Sequence, residues 1–248
     1  VNLTRVVDVT GVGDAFDAYR RIRRENPARH GAFLRTQADL AILSNSPERL
    51  VSVHGRRVVA EPIKGTRPRG TTEAEDQRLV RELLADPKER AELTMIVDLT
   101  RNDLGRVARP GSVFVEPREI TTHANVHHTH QRVHATLPHT ADAWDAVCAL
   151  LPYGSITGAP KVRACQRIAQ LEDRARGVYC GAIGFVADGG SAQWSVAIRT
   201  AVVDGDHARY HVGGGIVADS SPEAEWEETV SKGAALRRAL CAAEPARI

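Results

Sequence analysis

The chain has 248 residues, 42% of them hydrophobic, and can therefore bury a core as one large domain or two small ones. Acidic and basic side chains are interspersed and nearly balance at a formal net charge of +2, which argues against nucleic acid as the main partner. No apolar run reaches membrane-spanning length and no signal-peptide pattern occurs, so we expect no membrane partner. The four cysteines are scattered without C-x-x-C spacing, which predicts reduced thiols in a cytoplasmic protein.

The start of the chain predicts one strand, one helix and two further strands. Apolar alternation predicts a strand over residues 1–9, and Asp14 is placed to cap a helix that reaches residue 25. The face of that helix expected to point inward comprises Phe16, Tyr19 and Ile22. Two short strands are predicted over residues 31–36 and 39–43.

A polar turn, Ser44-Asn45-Ser46-Pro47-Glu48-Arg49, places Glu48 at the end of a strand. The residues that follow predict a hairpin over 50–61. Because this hairpin leads directly to Lys64, we expect Glu48 and Lys64 near each other on one sheet edge. The alternative for Glu48 is a solvated turn carboxylate paired with Arg49.

Lys64 lies in a rigid basic corner formed by residues 61–70. Its prolines fix φ, and its glycines allow positive φ. Nearby cations disfavour an ammonium, so Arg67 and Arg69 are expected to lower the pKa of Lys64 toward a free amine that attacks carbon. The alternatives are an exposed basic turn and an arginine pair that binds an anion.

Two predicted helices each carry a pair of glutamates at i and i+3, which therefore project from one face. The pairs are Glu89 and Glu92 in the helix that begins at Asp86-Pro87, and Glu225 and Glu228 in the helix that begins at Ser221-Pro222, with Lys232 one turn further. Hard oxygen ligands from separate helices are the usual way to bind Mg²⁺, so these pairs predict a magnesium site. The alternative for the first pair is a solvated acidic turn favoured by the helix dipole.

An extended segment predicted over residues 118–134 is rich in histidine. Successive side chains of a strand point to opposite faces, so one face would carry His127. The other face would carry His128, His130, Arg132 and His134. A zinc cluster is one interpretation. A single functional histidine is favoured, because no cysteines are interleaved and an arginine shares the face.

A glycine-rich turn over residues 152–161 leads into a helix predicted to end near residue 172. The helix before this turn, over 141–151, is expected to face inward with Trp144, Val147 and Leu150. A glycine-rich turn at a helix N-terminus is suited to bind an anion. Lys161 is displaced from its place in a Walker A loop, so a carboxylate or oxyanion is expected rather than a nucleotide.

The last third predicts an antiparallel meander with strands over 178–187, 194–203 and 208–217. Tyr179 and Arg199 are expected on these strands. An arginine within an apolar strand is costly unless it is paired, so Arg199 should meet an anion or form an internal salt bridge. Together these elements predict an α+β fold, with antiparallel sheets in a sandwich-like core and helices around them.

Several motifs, in order along nearly the whole chain, resemble those of the chorismate-utilising enzymes, which include anthranilate synthase component I, aminodeoxychorismate synthase component I and the isochorismate and salicylate synthases. The motifs are Ser46-Pro47-Glu48-Arg49, Pro62-Ile63-Lys64-Gly65-Thr66-Arg67-Pro68-Arg69-Gly70, the segments 96–105 and 154–161, Ile198-Arg199-Thr200, and the segment 213–220. This resemblance implies a single chorismate-binding catalytic domain over residues 1–248. Family members are longer at the N-terminus, so we expect a preceding segment in the full-length relatives.

The lysine in Pro-Ile-Lys-Gly-Thr is similar to aminodeoxychorismate synthase, whereas anthranilate synthases typically carry alanine there. The resemblance implies Mg²⁺-dependent amination of chorismate at C4 to 4-amino-4-deoxychorismate, through a covalent lysine intermediate, for p-aminobenzoate and folate biosynthesis. It also implies a glutamine amidotransferase partner that supplies ammonia. The alternatives are an anthranilate synthase or related chorismate enzyme, and an inactive chorismate-binding scaffold for an amidotransferase.

The resemblance also implies a role for each matching residue. Lys64 attacks C2 of chorismate, Glu48 protonates the departing C4 hydroxyl, and His128 lies near the reacting ring. Glu92 and Glu228 ligate Mg²⁺, supported by Glu89 and Glu225, with Lys232 beside the metal helix. The groups implied to bind the other carboxylate are Thr157, Gly158, Tyr179, Arg199, Gly213, Gly214 and Gly215.

Two local departures from the family pattern affect these implied roles. Leu93 stands where the family usually has a histidine after the metal glutamate, and His127, His130 and Gln131 are atypical neighbours of His128.

Overall fold

The computed structural model describes residues 1–123 and 126–241. The described elements, in chain order, are β1 (Asn2–Thr10), α1 (Ala15–Glu25), β2 (His30–Arg35), β3 (Leu40–Ser46), β4 (Arg49–His54), β5 (Arg57–Ala60), β6 (Ile63–Pro68), α2 (Glu73–Ala85), α3 (Pro87–Gly105), β7 (Phe114–Val115), β8 (Glu119–Thr122), β9 (Val126–His130), β10 (Val133–Thr136), α4 (Ala143–Leu150), a 3₁₀ helix (Gly154–Ile156), α5 (Lys161–Leu171), β11 (Ala182–Val186), β12 (Ala192–Val196), β13 (Thr200–Asp204), β14 (His207–Gly215) and α6 (Pro222–Cys241). None of the described helices is long and apolar enough to cross a membrane.

The chain forms two compact units. The first unit comprises Val1–Glu48, Ile156–Ile183 and Ser195–Ile248, and the second comprises Arg49–Ser155 and Gly184–Trp194.

The first unit is built on a five-stranded antiparallel sheet, called sheet A, with the strand order β1-β14-β13-β3-β2. Alternate residues of its strands are buried, and α1 and α6 pack against them. Helix α1 begins where predicted, because Asp14 caps it by accepting from two backbone amides. Of its predicted inward face, Tyr19 and Ile22 are buried. Phe16 is 48% exposed, so that part of the prediction is wrong.

The second unit contains a six-stranded sheet and a three-stranded sheet. Sheet B has the order β11-β12-β4-β5-β10-β7, and sheet C has the order β6-β9-β8. The predicted hairpin forms from β4 and β5, with Val53 opposite Val58. Trp144 of α4 is 59% exposed and contacts the ring of Trp194, so its predicted inward position is wrong. The cause is that α4 buries only one of its sides, the one that carries Ala146, Val147, Ala149 and Leu150.

Two long predicted strands are each divided in the structure. The segment 118–134 forms β8, β9 and β10, and residues 124 and 125 lie outside the described residues. Strand β9 belongs to sheet C and β10 to sheet B, so His134 does not share a strand face with His128 and His130. The division occurs because Val133 pairs with Ala60 of β5.

The predicted strand over 194–203 is divided into β12 and β13 at Arg199. This residue has φ +48°, a left-handed conformation that interrupts an extended strand. Arg199 therefore lies between two strands rather than on one. Tyr179 lies in the turn before β11, where its amide donates to the carbonyl of Arg176, so its predicted strand position is also wrong.

Candidate functional site

Lys64 lies on β6, at a bulge in that strand. The pairing register with β9 shifts between Lys64 and Thr66, which makes Gly65 the extra residue. Gly65 has φ +79°, and a Cβ there would lie 3.1 Å from Glu89 Oε2. The bulge therefore requires glycine, and the Glu89 carboxylate lies directly against it. The half-buried Lys64 amine makes no hydrogen bond or ion pair within residues 1–123 and 126–241.

The two arginines that follow this lysine are both paired with carboxylates. Arg67 contacts Asp86 at 2.8 Å and Glu89 at 3.3 Å. Arg69 contacts Asp76 at 2.8 Å. Their charges are thus offset by internal acids, so the excess of positive charge predicted beside the lysine does not form among the described residues.

Helix α3 presents the first predicted glutamate pair. Asp86 caps its N-terminus by accepting from two backbone amides at 2.9 and 3.2 Å. Glu89 is oriented by the first arginine of β6. Glu92 is half-buried and makes no hydrogen bond or ion pair with the described residues. Leu93, where the resemblance expects a histidine, is fully buried and offers Glu92 no polar group.

The histidines of β9 are each held through Nδ1 by a threonine hydroxyl on a neighbouring strand. The pairs are His127 with Thr122 at 2.9 Å, His128 with Thr66 at 2.9 Å, and His130 with Thr121 at 3.2 Å. His127 also contacts Asp76 through Nε2 at 2.9 Å. In the part of the chain that the structure describes, no three His, Cys, Asp or Glu side chains are grouped closely enough to hold a metal ion.

Arg199 is a half-buried cation in the first unit. Burial lowers the pKa of its guanidinium from the usual value. It forms no ion pair with residues 1–123 or 126–241, so the predicted internal salt bridge is not found among them. Its carbonyl accepts a hydrogen bond from Asn45 N at 3.1 Å, which anchors the strand break. An unpaired, desolvated guanidinium is suited to bind an anion.

Helix α6 brings the second glutamate pair close to the glycine-rich end of β14. A Cβ on Gly214 would lie 2.9 Å from Glu225 Oε2 and 3.9 Å from Glu228 Oε1. Glu225 Oε2 is buried without a hydrogen-bond partner among the described residues. Lys232 forms an ion pair with Glu228 and donates to the carbonyl of Gly213 at 3.2 Å. Because glycine has no side chain, this end of β14 leaves space for the carboxylates of the second glutamate pair and for the amine of Lys232.

The predicted anion-binding turn packs against the start of β1. Asn2 N donates to the carbonyl of Thr157, which is buried, at 2.9 Å. Gly158 follows, and α5 begins at Lys161 with no side-chain cap on its N-terminus. Its first backbone amides are thus not bound by a capping side chain. Tyr179 is 9% exposed.

The sequence interpretation missed three polar residues around Tyr179. Arg176 pairs with Glu172 at 2.6 Å and donates to the carbonyls of Ile156 and Asn2, both at 2.9 Å. The spacing of Glu172 and Arg176 at i and i+4 gave no signal for this pair, because both residues lie beyond the end of α5, where the helical rule does not apply. His211, whose ring stacks on Tyr179, carried no signal in the sequence.

Glu48 and Lys64 do not share a sheet edge. Glu48 lies between β3 and β4, is 6% exposed, and its carbonyl accepts from Val196 N at 3.1 Å. It is therefore not the solvated carboxylate of the alternative interpretation. Lys64 belongs to sheet C.

A cavity of about 510 Å³ lies in the first unit, over the face of sheet A opposite α1 and α6. Tyr179 and His211 line it, together with Asp8, Arg209 and Arg176. The other predicted substrate-binding residues of this unit are not among its lining residues.

Known proteins are similar to this chain along the segments that form both of its units. A family model described as chorismate binding enzyme matches residues 1–238. The anthranilate synthase component 1 of Streptomyces coelicolor is 46% identical over 231 residues, which cover 93% of this chain and 45% of that protein. An aminodeoxychorismate synthase of Streptomyces griseus is 48% identical over 233 residues, covering 93% of this chain and 32% of that protein. The chain thus spans less than half the length of these relatives.

Solved structures have the same fold. Anthranilate synthase component I from Streptococcus pneumoniae TIGR4 is similar with a TM-score of 0.86 and 38% identity, over 95% of this chain and 52% of that one. The menaquinone-specific isochorismate synthase of Escherichia coli has a TM-score of 0.89 and 28% identity, over 97% of this chain and 56% of that one. The predicted α+β fold is confirmed. With the family model matching nearly its full length, the chain belongs to the chorismate binding enzymes.

Proposed function

We propose that this chain catalyses the Mg²⁺-dependent amination of chorismate at C4, giving 4-amino-4-deoxychorismate for p-aminobenzoate and folate biosynthesis in the cytoplasm. The observation that carries the proposal is the Lys64 amine, which has no hydrogen-bond or ion-pair partner among the described residues. A lysine whose amine has no polar partner within residues 1–123 and 126–241, on a strand fixed by a glycine bulge, is suited to act as a nucleophile.

The proposed reaction divides one substitution into two. The Lys64 Nζ lone pair forms a bond to C2 of chorismate while both ring double bonds shift by one position and the C4–O bond breaks. Glu48 donates a proton to that oxygen, so it leaves as water. Ammonia then forms a bond to C4, both double bonds shift back, and the C2–N bond to Lys64 breaks, which restores the free amine; the proton that the new ammonium group releases returns to Glu48.

We assign the half-buried Arg199 of the first unit to bind one of the two substrate carboxylates. Arg199 provides an unpaired guanidinium for one carboxylate. Burial raises the pKa of Tyr179, so its phenol stays a neutral hydrogen-bond donor. Thr157, Gly158 and the amides of Gly213 to Gly215 complete this set, and His128 is assigned to the reacting ring.

The family resemblance assigns Mg²⁺ to the two glutamate pairs, one on α3 and one on α6. Glu92 has no partner among the described residues, and Glu225 has a buried oxygen without one. Glu92 and Glu228 would hold the ion, with Glu89 and Glu225 in support. When bound, Mg²⁺ neutralises the ring carboxylate.

The main competing function is that of an anthranilate synthase, which the names of several relatives support. The other is an inactive scaffold that binds chorismate for an amidotransferase. Incubation with chorismate, Mg²⁺ and ammonium separates the three. A product that a lyase converts to p-aminobenzoate supports our proposal. Fluorescent anthranilate supports the second function, and binding without turnover supports the third.

The nucleophile has its own test. The Lys64→Ala variant should form no covalent chorismate adduct in intact-protein mass spectrometry, whereas Lys88→Ala, on an exposed turn of α3, should behave like the wild type. An adduct that persists in Lys64→Ala would refute the role of this lysine.

We also propose that a glutamine amidotransferase supplies the ammonia. The chain alone should then use ammonium but not glutamine. Addition of the amidotransferase should make glutamine a substrate, and turnover of glutamine by the chain alone would contradict this assignment.

A further inference from the structure

His211 and Tyr179 form a parallel stack of two buried rings. Their centroids are 5.2 Å apart and their planes differ by 12°. His211 lies on β14 between Tyr210 and Val212, which both belong to the core under α6. It therefore points to the opposite face of sheet A, where Tyr179 meets it.

No hydrogen bond explains why a histidine occupies this position. The ring is 6% exposed, and its Nδ1 has no hydrogen-bond partner among the described residues. A buried polar atom without a partner costs stability. Burial also lowers the pKa of His211, so the ring is neutral near pH 7. The neutral ring instead makes a stacking contact with the face of the Tyr179 ring.

The Tyr179 side chain makes the stack on His211 at its ring face and a side-chain hydrogen bond with Cys180. Both rings line the cavity of about 510 Å³ in the first unit. The turn that carries Tyr179 is fixed through its backbone, by the carbonyls of Arg176 and Ala197. Backbone bonds do not set the angle of a phenol ring. Removal of the imidazole would enlarge the cavity next to Tyr179 and leave its ring face without support, because the bond to Cys180 does not by itself fix the plane of the ring.

We propose that His211 is a positioning residue, whose ring fixes the orientation in which the Tyr179 hydroxyl meets a carboxylate of the substrate. The inference rests on the proposed function, in which Tyr179 binds chorismate. It assigns to His211 no contact with the reacting atoms.

The stack should be sensitive to pH. The groups that face the imidazole are the carboxylates of Asp8 and Glu172, the guanidinium groups of Arg176 and Arg209, and the phenol of Tyr179. The neutral stack is complete above the lowered pKa of His211 and is lost as the pH falls through it. Chorismate affinity should therefore decline below the ordinary histidine value of about pH 6.5.

Three variants of the chain test the proposal, with chorismate KM and kcat as the measurements. His211→Ala should raise KM about three- to tenfold, the size of one aromatic stacking contact, and leave kcat nearly unchanged. His211→Phe retains a planar ring, so it should restore KM and remove the acid-side decline in affinity. His207→Ala is the matched control, because His207 lies on the same strand and lines the same cavity without stacking on Tyr179.

A double-mutant cycle separates positioning from a general loss of structure. In a Tyr179→Phe background, where the hydroxyl is missing, His211→Ala should have no further effect on KM. The Tyr179 ring signal in ¹H–¹³C spectra, recorded without chorismate, should shift in His211→Ala and stay close to the wild-type position in His211→Phe.

Two outcomes would overturn the inference. In the first, wild type and His211→Ala bind chorismate equally well; the proposed function then stands and the positioning role is wrong. In the second, the wild type does not bind chorismate, which removes the proposed function and this inference with it.

Discussion

Thr66 and His128 face each other across the β6–β9 pair, and Thr66 Oγ1 lies 2.9 Å from His128 Nδ1. A hydroxyl can donate to or accept from Nδ1, so this contact fixes the orientation of the His128 ring in either tautomer. Thr66→Val keeps the shape and loses the hydroxyl, so we expect kcat to fall about fivefold, the value of one hydrogen bond. Thr66→Ser should retain activity. The ¹⁵N shifts of the His128 ring should change in Thr66→Val and not in Thr66→Ser, and unchanged shifts in both would contradict the assignment.

Arg199 should affect stability and binding in opposite directions. A half-buried guanidinium without a counter-ion among the described residues costs free energy in the folded protein, so Arg199→Met should raise the free energy of unfolding by about 1–2 kcal/mol. The same change removes the group proposed to bind a carboxylate, and chorismate affinity should fall at least about tenfold. Urea unfolding and a chorismate titration measure the two effects. A loss of stability in this variant would show that Arg199 has a structural partner.

Glu225 should contribute to Mg²⁺ affinity through its buried oxygen. We expect Glu225→Gln to weaken Mg²⁺ binding about tenfold or more, because support of a metal ligand is typically worth that much. Glu227→Gln, on the exposed face of the same helix, is the matched control and should bind like the wild type. Isothermal titration with Mg²⁺ in the absence of chorismate is the measurement. Equal affinities for both variants would remove Glu225 from the site.

The stability cost of a side chain in the β6 bulge can be measured by comparing Gly65→Ala with the same change at Gly55, which lies in the β4–β5 turn. Both have positive φ, +79° and +59°, but a Cβ at Gly65 meets three side-chain atoms within 3.2 Å, whereas Gly55 has open space. Gly55→Ala should therefore cost only the conformational strain, about 1 kcal/mol. Gly65→Ala should cost about 2–4 kcal/mol, because a steric clash is added. Denaturant unfolding compares them, and equal losses would mean that the bulge adapts to a side chain.

The sequence was sufficient where local chemistry determines the structure. Capping by Asp14 and Asp86 fixed two helix starts, and the turn at Gly55 produced the β4–β5 hairpin as predicted. The two glutamate pairs lie on helices α3 and α6, as their spacing required. These features depend on residues within a few positions of each other.

Features that depend on distant contacts could not be predicted. Arg199 is not a glycine, yet it has a positive φ and divides a strand. The sequence pattern does not predict this, because the surrounding structure imposes that conformation. The partners of Arg67 and Arg69 lie on other elements, so the sequence overstated the positive charge beside Lys64. The stack of Tyr179 on His211 joins residues 32 positions apart, which local spacing does not reveal.

In the β6 bulge, the residue that shapes the backbone differs from the residue proposed to react. Glycine at position 65 makes the distortion, and the side chain at position 64 takes no part in it. Replacement of that side chain should therefore leave the strand intact. A single substitution at position 64 should therefore exchange the proposed nucleophile for an inert group, and change reactivity, without redesign of the scaffold.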